Sequence, residues 1–456
     1  MRKRISAFFS VLAAIVLLTV PASAASSGST LKIICADAGQ VIFTPPGSTQ
    51  YAYRYGPAIL IDGDRIDIWA SAPPLVSNGV RYGNDSIEYI RSTDGGKTWT
   101  EWKTVLYPTL NSEDQWSTCD PGAFKYGDYY YVGYTGSPEF RTNPDKEKQV
   151  NNLFIARAKN PEGPYEKWNG NGWGGDPYAI TRYSGDGVGC SMPSFTVKGD
   201  TLYMYYVDQT HPDQDWNSEG NISVSTFSLK DPNWPGNELS NKMCENKPEE
   251  VRYCPDIDKF IGFQLKGGWD YDSYVEIYES TDGVNFTKTS SFRNNFPHYA
   301  HNIGISGNNL GQLDLSIQNY IGTAYTPTGV EAWWGHWHTQ LIPLYIREEQ
   351  PSPTTSSQPS GSTDSSSRKP TTSSVGSTDG ESSETEVSEP QNSNIESTVS
   401  DDKDKDKEVN NKTEQQEETS YLWLYIVIGA VVVLAGAGTA VSYTHLRAHE
   451  TGRNLV

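Results

Sequence analysis

Asp120 stands directly before a proline at the start of an apolar, β-rich run, Cys119-Asp-Pro121-Gly-Ala-Phe. A carboxyl group so placed can move a proton or orient a hydroxyl group. The same pattern recurs at Tyr55-Gly-Pro57-Ala-Ile-Leu, Ser191-Met-Pro193-Ser-Phe and Tyr253-Cys-Pro255-Asp-Ile, and at His301-Asn-Ile-Gly-Ile305 without the proline. If these runs converge on one axis, the residues at their starts gather at its mouth: Arg54 and Tyr55, Trp116 and Asp120, Ser191 and Met192, Arg252 and Tyr253, His301 and Asn302. That polar and aromatic set suits a sugar, with hydroxyl contacts and at least one flat face. Taken singly, each residue has an ordinary role in packing or on the surface. The weight lies in their being in phase.

The elements that must position these residues are strands. Proline fits the first position of a strand, where its missing N–H costs nothing. After two of the runs comes a short hairpin signal and an aromatic strand, Lys125-Tyr-Gly-Asp-Tyr-Tyr-Tyr-Val-Gly-Tyr134 and Lys198-Gly-Asp-Thr-Leu-Tyr-Met-Tyr-Tyr206. A second repeat runs in step with the first. Ser92-Thr-Asp-Gly-Gly-Lys-Thr-Trp99 is a complete Asp box, S-x-D-x-G-x-x-W, with a shortened copy at Ser280-Thr-Asp-Gly-Val-Asn-Phe286. Weaker relatives are Ala158–Tyr165 and Ser225–Trp234. Such turns close the outer strands of a β-propeller blade, and their Asp94 and Asp282 serve folding rather than catalysis. The spacing of about 55 to 65 residues fits four-stranded blades. The expected fold is all-β, a five-bladed propeller over residues 30–348. The first four proline-led runs are read as the inner strands of blades one to four, the His301 run as that of the fifth, and Thr339–Ile346 as the closing strand of the ring.

The two ends predict a compartment. Arg2-Lys-Arg4, an apolar run from Ile5 to Val20 and Ala22-Ser-Ala24 read as a secretory signal over residues 1–24. Residues 350–420 collapse to Ser, Thr, Pro, Glu, Asp and Lys, the composition of a solvated, disordered stalk. Tyr421 to Val441 carries no charge and is long enough to span a bilayer as one transmembrane helix. The expectation is a monomeric head on the extracellular face of the membrane. Residues 442–456 form a short tail in which Val441-Ser-Tyr-Thr-His-Leu-Arg-Ala-His-Glu-Thr451 looks like a translated sequencing-library adapter, so His445 and His449 receive no functional weight.

A net charge of −20 argues against nucleic acid as a partner. No zinc-ligand spacing, phosphate-binding glycine loop or G-x-S-x-G elbow is present. Five cysteines in an oxidising compartment leave one unpaired. Cys244 and Cys254, which flank a polar loop, are the first choice for a disulfide, and Cys119 with Cys190 a second.

The Asp120-Pro121 strand, the Asn160-Pro-Glu-Gly-Pro-Tyr165 turn, Trp168-Asn-Gly-Asn-Gly-Trp-Gly-Gly175 and the Pro193-Ser-Phe195 strand resemble five-bladed-propeller glycoside hydrolases, family 43 and β-xylosidase-like secreted bacterial proteins in particular. The resemblance covers roughly Ile33 to Arg347 and implies inverting hydrolysis. It implies a general-base Asp on the first inner strand, a tuning carboxylate on the second and a general-acid Glu on the third, the acid and base far enough apart to admit water, about 6.5–9.5 Å. Asp120 matches the second-strand carboxylate. The first strand offers Gly56 where the Asp is expected, and the third offers Ser191-Met192 where the Glu is expected. A methionine cannot protonate a leaving group. The nearest carboxylate is Asp186, in Ser184-Gly-Asp-Gly-Val-Gly189. His301 matches a fifth-strand histidine that the resemblance implies as a metal ligand, with calcium on the propeller axis the structural ion this suggests.

Two readings compete. One is a surface-anchored glycoside hydrolase acting on plant or host glycans, with Asp120 paired to a second carboxylate for which Asp186 is the nearest candidate. The other is an inactive propeller that binds a glycan or a surface partner. The retained Asp120 weighs toward the first. A sialidase ranks last, since Arg54 and Arg252 would supply two members of an arginine triad and no third inner-strand arginine follows.

Overall fold

A computed structural model of the chain describes residues 29–46, 52–143, 146–183, 188–210, 220–327 and 335–349. The expected signal, stalk, transmembrane helix and tail lie outside these residues, as does Asp186. Among the described residues no helix is long and apolar enough to cross a membrane.

The strands form five four-stranded antiparallel blades. Blade 1 runs outward from its inner strand through Tyr55–Asp62, Arg65–Ala72, Ser86–Ser92 and Lys103–Leu106. Blade 2 runs Ser117–Tyr126, Tyr129–Ser137, Asn152–Ala158 and Glu166–Lys167, and blade 3 Gly189–Lys198, Thr201–Gln209, Asn221–Ser228 and Glu238–Met243. Blade 4 runs Glu250–Cys254, Lys259–Lys266, Tyr274–Ser280 and Thr287–Phe292. Blade 5 takes Ala300–Gly307, Asn319–Tyr325 and His338–Glu349, and its outer strand is Thr30–Cys35 from the start of the described chain. Each inner strand touches the next, and that of blade 5 pairs in parallel with that of blade 1 at Ser306–Ile59 and Gly307–Leu60, so the ring is closed.

Two expectations change here. Thr339–Ile346 lies in the third strand of blade 5 and closes the ring only together with the N-terminal strand, which pairs with it as the outer strand and buries Leu31, Ile33 and Cys35 in the core between blades 4 and 5. Cys254-Pro255 ends the inner strand of blade 4 rather than starting it, because residues 255–258 make the hairpin turn to Lys259. The registers put Glu249 of blade 4 opposite the place that Pro57, Pro121 and Pro193 hold in blades 1 to 3.

The four turn motifs sit at one place in blades 1 to 4, between the third and outer strands. In the complete one, Asp94 Oδ1 accepts the N–H groups of Lys97 and Thr98 at 3.1 and 2.9 Å, and Thr98 Oγ1 donates to Asp94 Oδ2 at 2.7 Å. Gly96 N–H donates to Ser92 Oγ at 2.9 Å. The Thr98 hydroxyl and N–H and the Ser92 hydroxyl hold the Asp94 carboxyl down at about 2.

Nearest the axis the backbones approach to the limit. A Cβ on Gly304 would lie 1.6 Å from the Pro57 carbonyl oxygen, and one on Gly122 would lie 2.0 Å from that of Pro193. At these two contacts between neighbouring inner strands only glycine fits. All five cysteines are buried free thiols, so neither expected disulfide is present. Each proposed pair is split between separate core clusters, Cys244 from Cys254 and Cys119 from Cys190.

Gly122→Ala and Gly304→Ala are each expected to lower stability by about 3 kcal/mol or more, because the obstacle is backbone. Ile33→Ala, at a side chain 1 % exposed, should cost about 2–5 kcal/mol. Urea unfolding checks all three. Asp94→Ala should lower the melting temperature at pH 7. A depressed folded-state pKa gives a contribution complete above the ordinary value of 3.8 and lost as pH falls through about 2, so the gap from the parent should narrow on acidification.

Candidate functional site

The inner strands of blades 1, 2, 3 and 5 each begin with a bulge. Pairing with the second strand skips between Tyr55 and Ala58, between Cys119 and Gly122, between Ser191 and Ser194, and between His301 and Ile303. The residue inside each bulge has a left-handed backbone: Gly56 at φ 58°, Asp120 at 48°, Met192 at 57° and Asn302 at 54°. A bulge re-aims a side chain, and left-handed φ in a non-glycine residue, above all methionine, is sparsely populated. The four residues meet at one end of the axis. A Cβ on Gly56 would lie 3.5 Å from Asn302 Nδ2 and 3.6 Å from Asp120 Oδ1.

Asp120 is the centre of this group and is half-buried. Asn302 Nδ2 donates to its Oδ1 at 3.3 Å, Cys119 Sγ lies 3.5 Å from its Oδ2, and its own N–H donates to Ser71 Oγ at 2.7 Å. Thr135 Oγ1 accepts the Met192 N–H at 2.9 Å, and its hydroxyl also bonds the Asp120 carboxyl. Burial pushes that carboxyl up to about 6; Thr135 and Cys119 pull it down, and the charge of Asp85 pushes it up further.

Asp85 is a residue that sequence reasoning missed. It is 3 % exposed, accepts Tyr53 OH at 2.5 Å and Ser117 Oγ at 2.9 Å, and thereby ties blade 1 to the start of the blade 2 strand that carries Asp120. Burial raises its pKa, offset in part by the Tyr53, Ser117 and Asn84 hydrogen bonds. Nothing in Gly83-Asn-Asp-Ser86 marks it, since its partners come from distant positions. Trp269 and Trp337 were missed as well. Their rings lie 4.3 and 4.4 Å from that of His301, with Tyr55 at 5.4 Å, making an aromatic floor beside the bulges. Trp337 is wholly buried, whereas Trp269 is half-exposed.

Of the residues singled out in the sequence, Asp120, Met192, Asn302, Tyr55 and His301 come together, with Ser191 buried next to Met192. Trp116 stands half-exposed at the rim, its N–H on Ser137 O and its carbonyl accepting from Asn84. Three do not join them. Arg54 pairs with Glu88 at 2.5 Å and lies over the rings of Phe43 and Trp102, on the seam of blades 5 and 1. Arg252 is buried deeper on the axis, donating to Ile305 O and Ser194 Oγ and paired with Glu250 at 2.9 Å. Tyr253 donates to Asp258 in the hairpin at the far end of its strand. In both blade 4 cases the run is offset, which carries the residues away from the mouth.

His301 packs against the Trp269 and Trp337 rings, and burial drops its pKa to about 3. Calcium takes six to eight oxygen ligands, and among the described residues no three His, Cys, Asp or Glu side chains converge at ligand spacing. The donor set does not fit that ion.

No protein-family model and no curated protein sequence matches the chain. Similar solved structures include an α-L-arabinofuranosidase of Podospora anserina in complex with cellotriose, 11 % identical, with 70 % of this chain and 98 % of that one covered and a TM-score of 0.43. They include a family 117 glycoside hydrolase of Zobellia galactanivorans, 15 % identical over 70 % and 90 % with a TM-score of 0.44. A xylan β-1,4-xylosidase of Bacillus halodurans is 12 % identical over 66 % and 54 %, with a TM-score of 0.44. Likenesses this distant assign no residue a role.

Because the folded pKa of Asp120 is raised from 3.8 to about 6, the folded state holds that proton more tightly than the unfolded chain. Its ionisation therefore costs stability, a cost that grows through that window and is complete above it. Asp120→Asn should melt higher than the parent at pH 7.5 and close to it at pH 4, as measured by scanning calorimetry.

Proposed function

We propose that the mouth around Asp120 takes the end of a glycan chain, and that the protein is a glycoside hydrolase-like propeller in which Asp120 handles the proton. The observation that carries this reading is the Asp120 carboxyl: aimed into the mouth by a bulge, flanked by an aromatic floor and raised to about 6, where a group can both hold and release a proton near neutral pH. Trp269 offers the half-exposed flat face on which a sugar ring stacks. Inverting hydrolysis needs a second carboxyl about 6.5–9.5 Å from the first. Gly56, Met192 and Asn302 hold the three equivalent bulge positions and none has one, so this reading gives the second role to Asp186, three residues after Tyr183 in the sequence. The signal-like start, the 350–420 stretch and the uncharged 421–441 run support a head carried on the extracellular face of a membrane.

A specific observation favours a second reading. Met192 sits in the bulge that matches Asp120 and carries a thioether, which holds no proton at any pH, and Gly56 carries nothing. On that reading the mouth binds a glycan and does not cleave it.

Turnover by the full chain on a panel of aryl glycosides and polysaccharides separates the two. A hydrolase should lose about a hundred- to ten-thousand-fold in kcat on Asp120→Asn and on Asp186→Asn, with KM little changed. A binder should retain a glycan on affinity electrophoresis without turning it over, and Met192→Glu should add slow activity toward aryl glycosides. Trp269→Ala should weaken glycan retention about tenfold on either reading. Brisk hydrolysis of a natural glycan that survives both Asp→Asn changes would defeat both.

A further inference from the structure

The opposite end of the blade 1–blade 2 seam holds a cavity of about 310 Å³ that the mouth does not involve. Three turns meet there. The blade 1 hairpin brings Arg65, the blade 2 hairpin brings Lys125, Gly127 and Asp128, and the turn after the third strand of blade 2 brings Lys159 and Glu162, with Arg91 reaching in from blade 1. Four cations thus face two carboxylates, on a chain whose net charge is −20. Like charges held together this way repel one another unless an anion lies between them.

The cations are only partly served by protein groups. Arg65 spends its Nε on buried Asp67, 2.8 Å away, and its Nη2 is buried with no hydrogen-bond partner. Arg91 reaches Glu162 only at 3.5 Å, and its Nε is buried and likewise unpartnered. A buried donor without an acceptor costs free energy, more so on a charged group. Among the described residues neither Lys125 nor Lys159 has a carboxylate at ion-pair distance. The Tyr130 ring underlies the site, with Lys125 Nζ at 4.9 Å and Arg65 Cζ at 5.9 Å from its centroid, so these two cations also stand over an aromatic floor.

We propose that this cavity binds a small ligand through an oxyanion group, a sulfate, phosphate or carboxylate, with Arg65 and Arg91 as forked donors and Lys125 and Lys159 as point charges. Guanidinium groups match such anions in two-point geometry, and lysines add charge without fixing direction. The volume stands at the lower end of small-ligand pockets, the size of a single charged sugar rather than a stretch of polyanion. Glu162 competes for Arg91 in the empty cavity.

Calorimetric titration of the full chain at low ionic strength with inorganic sulfate, inorganic phosphate and glucuronate, with chloride as the control, tests this and separates the three sources. Saturable binding of at least one anion at a single site is expected, with chloride unable to compete at equal concentration. Arg91→Gln and Lys159→Gln should each weaken it about tenfold. Lys159 is exposed and Arg91 half-buried, and an unchanged melting temperature confirms that the fold survives each change. Glu162→Gln should tighten binding several-fold by freeing Arg91. No saturable binding to any of the three anions, binding unmoved by Arg91→Gln and Lys159→Gln, or weaker binding in Glu162→Gln would each overturn the proposal. None of these readouts depends on the mouth, since Asp120→Asn should leave anion binding as it is.

Discussion

The inner strands must approach one another so closely around the axis that at two places only a hydrogen fits between them. Gly304 lies against the Pro57 carbonyl and Gly122 against that of Pro193. In blades 1 and 3 those prolines close the bulge whose left-handed residue faces the mouth, Gly56 and Met192, and Pro121 does the same for Asp120. Tight packing at the axis and the aim of the mouth residues are therefore one feature. Proline pushes the residue before it toward extended backbone, so the left-handed φ at Asp120 and Met192 is held against that preference, with the Asp120 N–H on Ser71 Oγ and the Met192 N–H on Thr135 Oγ1.

The ring has no free edge on the axis, yet it has a seam where the chain must return. It is closed by six residues of the Thr30–Cys35 strand, paired from Thr30–Glu349 to Cys35–Leu344. Lower on the axis a polar clasp does similar work. Arg252 holds Ile305 O of blade 5, Ser194 Oγ of blade 3 and Glu250 of its own strand. A buried charge pair gains only if its remaining donors are satisfied, and here they are spread over three blades, so the pair fixes their relative positions. The Asp boxes act locally, each closing the periphery of one blade.

The two ends of the propeller have opposite chemistry. At the mouth, carboxyl groups are desolvated beside aromatic rings, and Asp120 and Asp85 are both pushed toward their protonated forms. At the other end of the blade 1–blade 2 seam, guanidinium and ammonium groups outnumber carboxylates. Trp69 of blade 1 and Ala123 and Val132 of blade 2 are buried in the core that the two blades share, so the two sites are separated by packed side chains.

What the sequence determined by itself was the repeat. Asp-box turns depend on Ser, Asp and Gly a few residues apart, and proline at a strand start is a local rule, so both could be read from spacing, and with them the blades, the inner strands of blades 1, 2, 3 and 5, and Asp120 at its strand start, while the bulge that aims it could not. Where the repeat lost its local signature, reading failed. Blade 4 begins without a bulge, and Cys254-Pro255 belongs to its hairpin, which took Arg252 and Tyr253 away from the mouth. Other features were decided only by tertiary structure, because they join residues far apart in the chain: Thr30–Cys35 closing the ring across some 300 residues of intervening chain, Asp85 bridging Tyr53 and Ser117, Trp269 and Trp337 flanking His301, and the four cations of the lower cavity. A desolvated carboxyl and an unsatisfied guanidinium are properties of what surrounds a residue, and those surroundings exist only once the blades have packed.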